Sequence, residues 1–246
     1  MTPYPSTALD TLARQAVGMS GADIERLVRE ARGKARREHR SLTYVDLETA
    51  LARSKPRRSA DLRYHIAVHE AGHAILRHVL NLGSILALSV VDEGGGSAIA
   101  EESAAVQTEG RLMALLAVYL GGRAAEELVF GEVSAASGGP ENSDLARGTR
   151  LALAIEMCFG LGADRPLVHR NLDLAEHMLL RDGALLDRVN ARLEAAQQQA
   201  RITVAANLDL LLRLADALTE AGTLDADEIT AILGGDQTVA PALPSG

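Results

Sequence analysis

Apolar residues recur at helical spacing through most of the chain. Ile24, Leu27, Val28 and Ala31 fall on one helix face, and Ser20 with Asp23 supplies a capping-box start ahead of them. Thr43 and Asp46 repeat that start before Val45, Leu47, Ala50 and Leu51. Residues 1–54 therefore predict a small helical module. The run KPRRSA then interrupts the period with charge and with Pro56, whose ring and missing N–H break a helix, so residues 55–61 read as a linker. Beyond it, residues 64–80 predict a helix, SILALSVV (84–91) a strand, DEGGG a turn and SAIAEES (97–103) a short exposed strand. Residues 107–129 predict one long helix, 131–142 a Gly/Ser-rich loop and 143–159 a further helix. Helical periodicity resumes over 171–222, and a short capped helix runs from Asp225 to Leu233. Residues 62–234 thus form a second unit, and 235–246 a tail expected to be disordered. The fold class this predicts is mainly α-helical with a small β element.

Composition narrows the packing. Hydrophobic residues make up 47% of the 246, yet only four Tyr and two Phe are present and no Trp. The core must be built from Leu, Ala, Val and Ile, a mixture that favours helices. A formal charge of −8 speaks against a nucleic-acid binder. Cys158 is the only cysteine, so no internal disulfide forms, which fits a reducing compartment; IEMCFG around it reads as the end of a buried helix and Cys158 as a core thiol. No apolar run reaches the length of about 18 residues needed to span a bilayer, and the start MTPYPSTALD lacks the marks of a signal peptide.

The chemistry concentrates in His69-Glu70-Ala71-Gly72-His73. Histidines four apart project from one helix face, where two imidazoles can hold one zinc ion at about 2.0–2.1 Å. Glu70 beside the first of them is placed to serve as general base toward a water rather than as a ligand. Gly72 costs about 1 kcal/mol in helix propensity, which a close neighbour or the need for space must justify. A third ligand is required. The pattern with a further histidine six residues on fails, because position 79 is Val. Glu101, Glu102, Glu109, Glu126, Glu127, Glu141 and Asp144 remain candidates, and spacing does not choose among them.

Further stretches carry a resemblance. GGRAAEELVFG (121–131), SAASGGPENSDLARGTRLAL (134–153) and MCFGLG (157–162) follow HEAGH in order, GMSGADIERLVREA (18–31) precedes it, and NLDLLLRLADALTEAGTLDADEI (207–229) closes the chain. Over about residues 12–234 the sequence resembles the FtsH family, the membrane-anchored AAA+ ATP-dependent zinc proteases. The resemblance implies a mainly α-helical zinc peptidase domain with a small β element, preceded by a small helical AAA+ lid-type subdomain. It implies Zn2+ as cofactor, Asp144 as third ligand with Thr149 at the family's threonine, and a loop one residue longer than usual before it. Gly148 stands where Ala is commoner. Glu126 or Glu127 could accept the second N–H of a ligand histidine, and His65, one turn before His69, shares the ligand face; His78, His169 and His177 read as surface residues. An edge strand from SILALSVVDEGGGSAIA could pair with extended substrate.

The resemblance further implies a homo-hexamer acting on unfolded polypeptide, cytoplasmic and at the inner face of a membrane in full-length relatives, with no membrane contact from this chain itself. The phosphate-cradling GxxxxGK followed by Ser or Thr is absent from these 246 residues. The start inside a domain that the resemblance identifies favours a piece of a longer enzyme over a stand-alone relative without a motor. The expected activity is hydrolysis of peptide bonds in unfolded or motor-delivered proteins. The rival is a catalytically silent zinc-containing assembly or adaptor domain, against which an intact Glu70 argues.

Overall fold

The structure is a computed structural model that describes residues 9, 12–13, 16, 19–54, 59–90, 97–100, 106–172, 179 and 181–234. Helix α1 (Gly21–Arg37) starts at Ser20, whose side chain accepts from the Asp23 N–H while Asp23 accepts from the Ser20 N–H. Helix α2 (Tyr44–Ser54) packs against it. The Asp46 carboxylate caps this second start by accepting from the Thr43 N–H at 2.9 Å, and Arg40 donates to the same carboxylate at 2.6 Å.

Helix α3 (Ala60–Val79) opens at Ser59, whose side chain accepts from the Leu62 N–H, and runs through the middle of the second unit. Its central residues Ala67 to Gly72 are buried on every side, as a helix with neighbours all round requires. Strand β1 (Ile85–Ser89) pairs antiparallel with β2 (Ser97–Ala100) on one edge and with β3 (Thr223–Asp225) on the other, in the order β2-β1-β3. Next come α4 (Glu109–Tyr119), α5 (Gly121–Phe130), a single 3-10 turn at Ala135–Ser137, and α6 (Asp144–Met157). Helices α7 (Gly183–Ala206), α8 (Leu208–Ala221) and α9 (Ala226–Leu233) complete the described chain. The core is Leu, Ile, Val and Ala with one Met; Ile75, Leu76, Leu116, Ile155, Leu211 and Leu214 are fully buried.

Four details differ from the sequence reading. Residues 107–129 are two helices that turn at Leu120, which ends α4 and starts α5. The turn brings Gly121 against Gly72 of α3; a Cβ on Gly72 would lie 2.4 Å from the Gly121 carbonyl oxygen and 2.7 Å from the Ala125 Cβ. The helical stretch after residue 171 is likewise divided, at Asn207, and β3 is an added strand too short to show alternation in sequence. Cys158 is half-buried rather than in the core: its thiol donates to the Arg170 carbonyl at 3.0 Å, and burial raises its pKa.

The tail 235–246, linker residues 55–58, Glu101, Glu102 and His177 lie outside the described residues. No described helix is long and apolar enough to cross a membrane.

Candidate metal centre

Helix α3 presents His69 and His73 one turn apart, and the first residue of α6, Asp144, meets them. Ser143 caps α6 by accepting from the Ala146 N–H, which fixes where Asp144 leaves the helix. The Nε2 atoms of the two histidines are 3.1 Å apart, and Asp144 Oδ2 is 3.1 Å from His69 Nε2 and 3.2 Å from His73 Nε2. Ligands at about 2.0–2.1 Å around a tetrahedral ion stand about 3.3 Å from one another, so this triangle has the size of three ligands to one ion.

The outer nitrogens set the tautomers. His73 Nδ1 donates to the Val118 carbonyl at 2.7 Å, and His69 Nδ1 donates to Glu126 Oε1 at 2.7 Å. When both rings are neutral, each turns an Nε2 lone pair inward, toward a carboxylate oxygen that also carries only lone pairs. Three acceptors converging in this way need a cation between them, a proton or a metal ion. The donor set of two imidazoles and a carboxylate suits zinc, and the residues present fit the ion.

Glu126 is fully buried and held from behind: Ser134 donates to it through its backbone N–H at 2.6 Å and its hydroxyl at 3.0 Å. Burial would raise the Glu126 pKa, but the bonds from His69 and Ser134 outweigh it and bring it to about 2. Burial also opposes charge on His69, yet Asp144, Glu126 and Glu70 push that imidazole up to about 10 in the metal-free protein. Burial acts against ionisation of Asp144 too, and His69 and His73 overcome it, holding the carboxyl well below the usual range. Fields that favour a proton here favour a metal cation equally.

The other sequence candidates divide. Glu70 is buried and lines the same groove as the two histidines. His65 stacks on Phe130 with ring centroids 4.3 Å apart, and its Nε2 is 3.5 Å from Glu126 Oε2, so it borders the outer carboxylate and not the His69–His73–Asp144 triangle. Glu127 turns away from the site to Arg201, 3.3 Å off on α7. Glu109 pairs with Arg192 at 2.8 Å, and Glu141 lies 4.0 Å from Arg150. The hydroxyl of Thr149 donates to the Leu145 carbonyl within α6. His78 and His169 are exposed.

Sequence reasoning missed Ser134 and the Val118 carbonyl. A backbone acceptor leaves no mark in sequence, and a serine in a Gly/Ser-rich loop does not stand out. It also missed why Gly122 is there: a Cβ at that position would lie 2.5 Å from the His69 ring.

The centre lies on the wall of a groove of about 670 Å³ that follows α3 from Leu62 to Arg77 and is bordered by Ala98 and Ala100 of β2. The model of peptidase family M41 matches residues 57–232. The chain belongs to peptidase family M41. Ahead of the M41 region, residues 6–49 match the AAA+ lid domain. This M41 chain is 37% identical over 244 residues to "ATP-dependent zinc metalloprotease FtsH 3" of Sphaerobacter thermophilus, an alignment covering 94% of the chain and 49% of that protein. It is 32% identical to FtsH 2 of the same organism, over 92% of the chain and 36% of the relative, and 31% identical to FtsH 4 of Sorangium cellulosum, over 94% and 39%. The M41 chain thus spans half the length of these relatives or less.

Proposed function

We propose that the chain is a zinc-dependent endopeptidase that hydrolyses peptide bonds in unfolded or motor-delivered polypeptides, with His69, His73 and Asp144 as ligands and Glu70 as general base. The observation that carries this reading is the triangle of three inward-facing lone-pair atoms on the wall of a groove, beside a buried glutamate. The M41 match and the zinc metalloproteases among its relatives support it. Zinc supplies Lewis acidity at such a centre.

The chain's own residues do the rest. Glu126 fixes the His69 tautomer and makes that ring a better donor, and the Val118 carbonyl does the same for His73. Glu70 takes the proton of the attacking water and returns it to the leaving amine. Four helical turns separate Leu62 from Arg77, about 22 Å, room for six or seven extended residues. Strand β2 pairs only with β1 among the described residues, so its outer edge can accept a substrate main chain as an added strand, binding it with little demand on sequence.

In the same reading residues 1–54 are the closing module of an AAA+ motor, 55–61 a linker and 62–234 the peptidase. Assembly as a homo-hexamer, in the cytoplasm at the inner face of a membrane, belongs to this proposal as well.

The test is incubation of the purified chain with zinc and a casein-like unfolded protein, without ATP. Cleavage is expected, and both a chelator and Glu70→Gln should abolish it while Glu70→Gln keeps its zinc. Undiminished cleavage by Glu70→Gln would remove the general-base assignment, and cleavage indifferent to chelator would remove the zinc reading.

A further inference from the structure

The two ends of the groove differ in character. Toward the start of α3 it is lined by Leu62 and Ile66; one turn past the ligands it is lined by Arg77, Arg147 and Tyr119. Arg77 follows His73 by four residues on α3, and Arg147 follows Asp144 by three on α6, so each arginine stands one turn beyond a ligand. The Arg147 guanidinium sits 4.7 Å from the centre of the Tyr119 ring, a cation–π contact that orients it without neutralising it. Arg77 is half-buried and uses one N–H on the Leu82 carbonyl at 2.7 Å. Among the described residues neither arginine has a carboxylate within 4.0 Å, although the chain has 33 acidic residues to 25 basic ones. Burial lowers the pKa of Arg77; Tyr119 opposes this, and the neighbouring positive charge of Arg147 adds a smaller lowering.

Resting on the endopeptidase reading, we infer that Arg77 and Arg147 form a subsite for a substrate carboxylate next to the scissile bond. One helical turn is about 5.4 Å and one extended residue about 3.3 Å, so the carboxylate belongs to a residue one or two positions from the cleaved bond, on one side only. A guanidinium fork accepts a carboxylate with two parallel hydrogen bonds, which a lysine or glutamine side chain cannot offer. The carboxylate comes from an Asp or Glu side chain or from the chain's own C-terminus. The sequence-tolerant pairing along β2 thereby gains a charge preference at one position.

The experiment uses the zinc-loaded chain and a set of quenched fluorescent peptides with one cleavable bond. Members differ only in carrying Glu, Gln or Lys at each position within two residues of that bond, and a further pair ends there in a free carboxylate or an amide. Glu should exceed Lys about tenfold in kcat/KM on one side of the bond, with Gln between, the scale of one charge-assisted hydrogen-bonded pair. Arg147→Glu should erase or invert the Glu-to-Lys ratio and Arg77→Gln should shrink it; a ratio taken within each variant is insensitive to general loss of activity. A gain for the free-carboxylate peptide alone assigns the subsite to a chain terminus. Equal rates for Glu, Gln and Lys, or a preference unchanged in Arg147→Glu, overturn the inference. Binding of the same peptides to Glu70→Gln, followed by anisotropy, separates the two readings: Glu-selective binding without any hydrolysis by the parent chain keeps the subsite and sinks the endopeptidase, whereas hydrolysis of all members at one rate sinks the subsite alone.

Discussion

Glu126 is not one of the three converging groups, yet it holds one of them, His69, by a hydrogen bond. Its carboxylate is fully buried, takes the His69 Nδ1–H at 2.7 Å and is itself held by Ser134. Glu126→Gln keeps the size but loses the charge, and zinc affinity should fall about 10–100-fold by competition with a chelating dye. The same carboxylates give ion uptake a definite pH dependence. With its pKa raised to about 10, His69 carries a proton in the metal-free protein at neutral pH, and that proton must leave before Nε2 can bind an ion. Zinc affinity should therefore rise with pH between 6 and 9 by up to tenfold per unit. Calorimetry in two buffers of different ionisation heat should register about one proton released per ion at pH 7; no release would contradict protonation of His69 before the ion binds.

The glycines of α3, α5 and α6 separate cleanly at the level of elements. Gly72 and Gly121 let two helix backbones touch, and a methyl at Gly72 would meet backbone that has nowhere to go. Gly72→Ala should cost about 1–3 kcal/mol in denaturant unfolding. Gly122→Ala should instead act on the site: its methyl falls on the His69 ring, so zinc affinity should drop further than stability does. Gly148 is the contrast. A Cβ there meets only Leu193 Cδ2 at 3.4 Å, an ordinary contact, so Gly148→Ala should stabilise the protein by about 0.5–1 kcal/mol through helix propensity. A loss of stability in that variant would mean that α6 and α7 pack more tightly than this. Those two helices are also joined by ions: the buried Glu156 accepts from Arg188 at 2.9 Å and Arg192 at 2.6 Å, a cluster that no local pattern in the sequence announces.

For the molecule as a whole, peptide hydrolysis runs downhill, whereas opening a folded substrate costs about 5–15 kcal/mol. The chain carries no phosphate-cradling motif to supply that work. On the proposed endopeptidase reading it should cut unfolded protein readily and a stably folded one no faster than that protein unfolds by itself, as a gel time course with a destabilised variant of one substrate would register. Rapid degradation of the stable form would contradict this. The sequence alone determined the helical class, the capped starts of α1 and α9, a strand within residues 84–91 and the pairing of His69 with His73. All of these follow from residues within a turn or two of one another, where periodicity and capping act directly. Its motif resemblance singled out Asp144, 71 residues beyond His73, while spacing left seven carboxylates open. Only the tertiary structure decided that Glu126 and not Glu127 faces His69, that Val118 lends its carbonyl to His73, and that the helix expected over 107–129 breaks at Leu120. Those choices depend on which side of α5 packs against α3. Adjacent residues on a helix point about 100° apart, so that packing sends Glu126 inward and leaves Glu127 for Arg201.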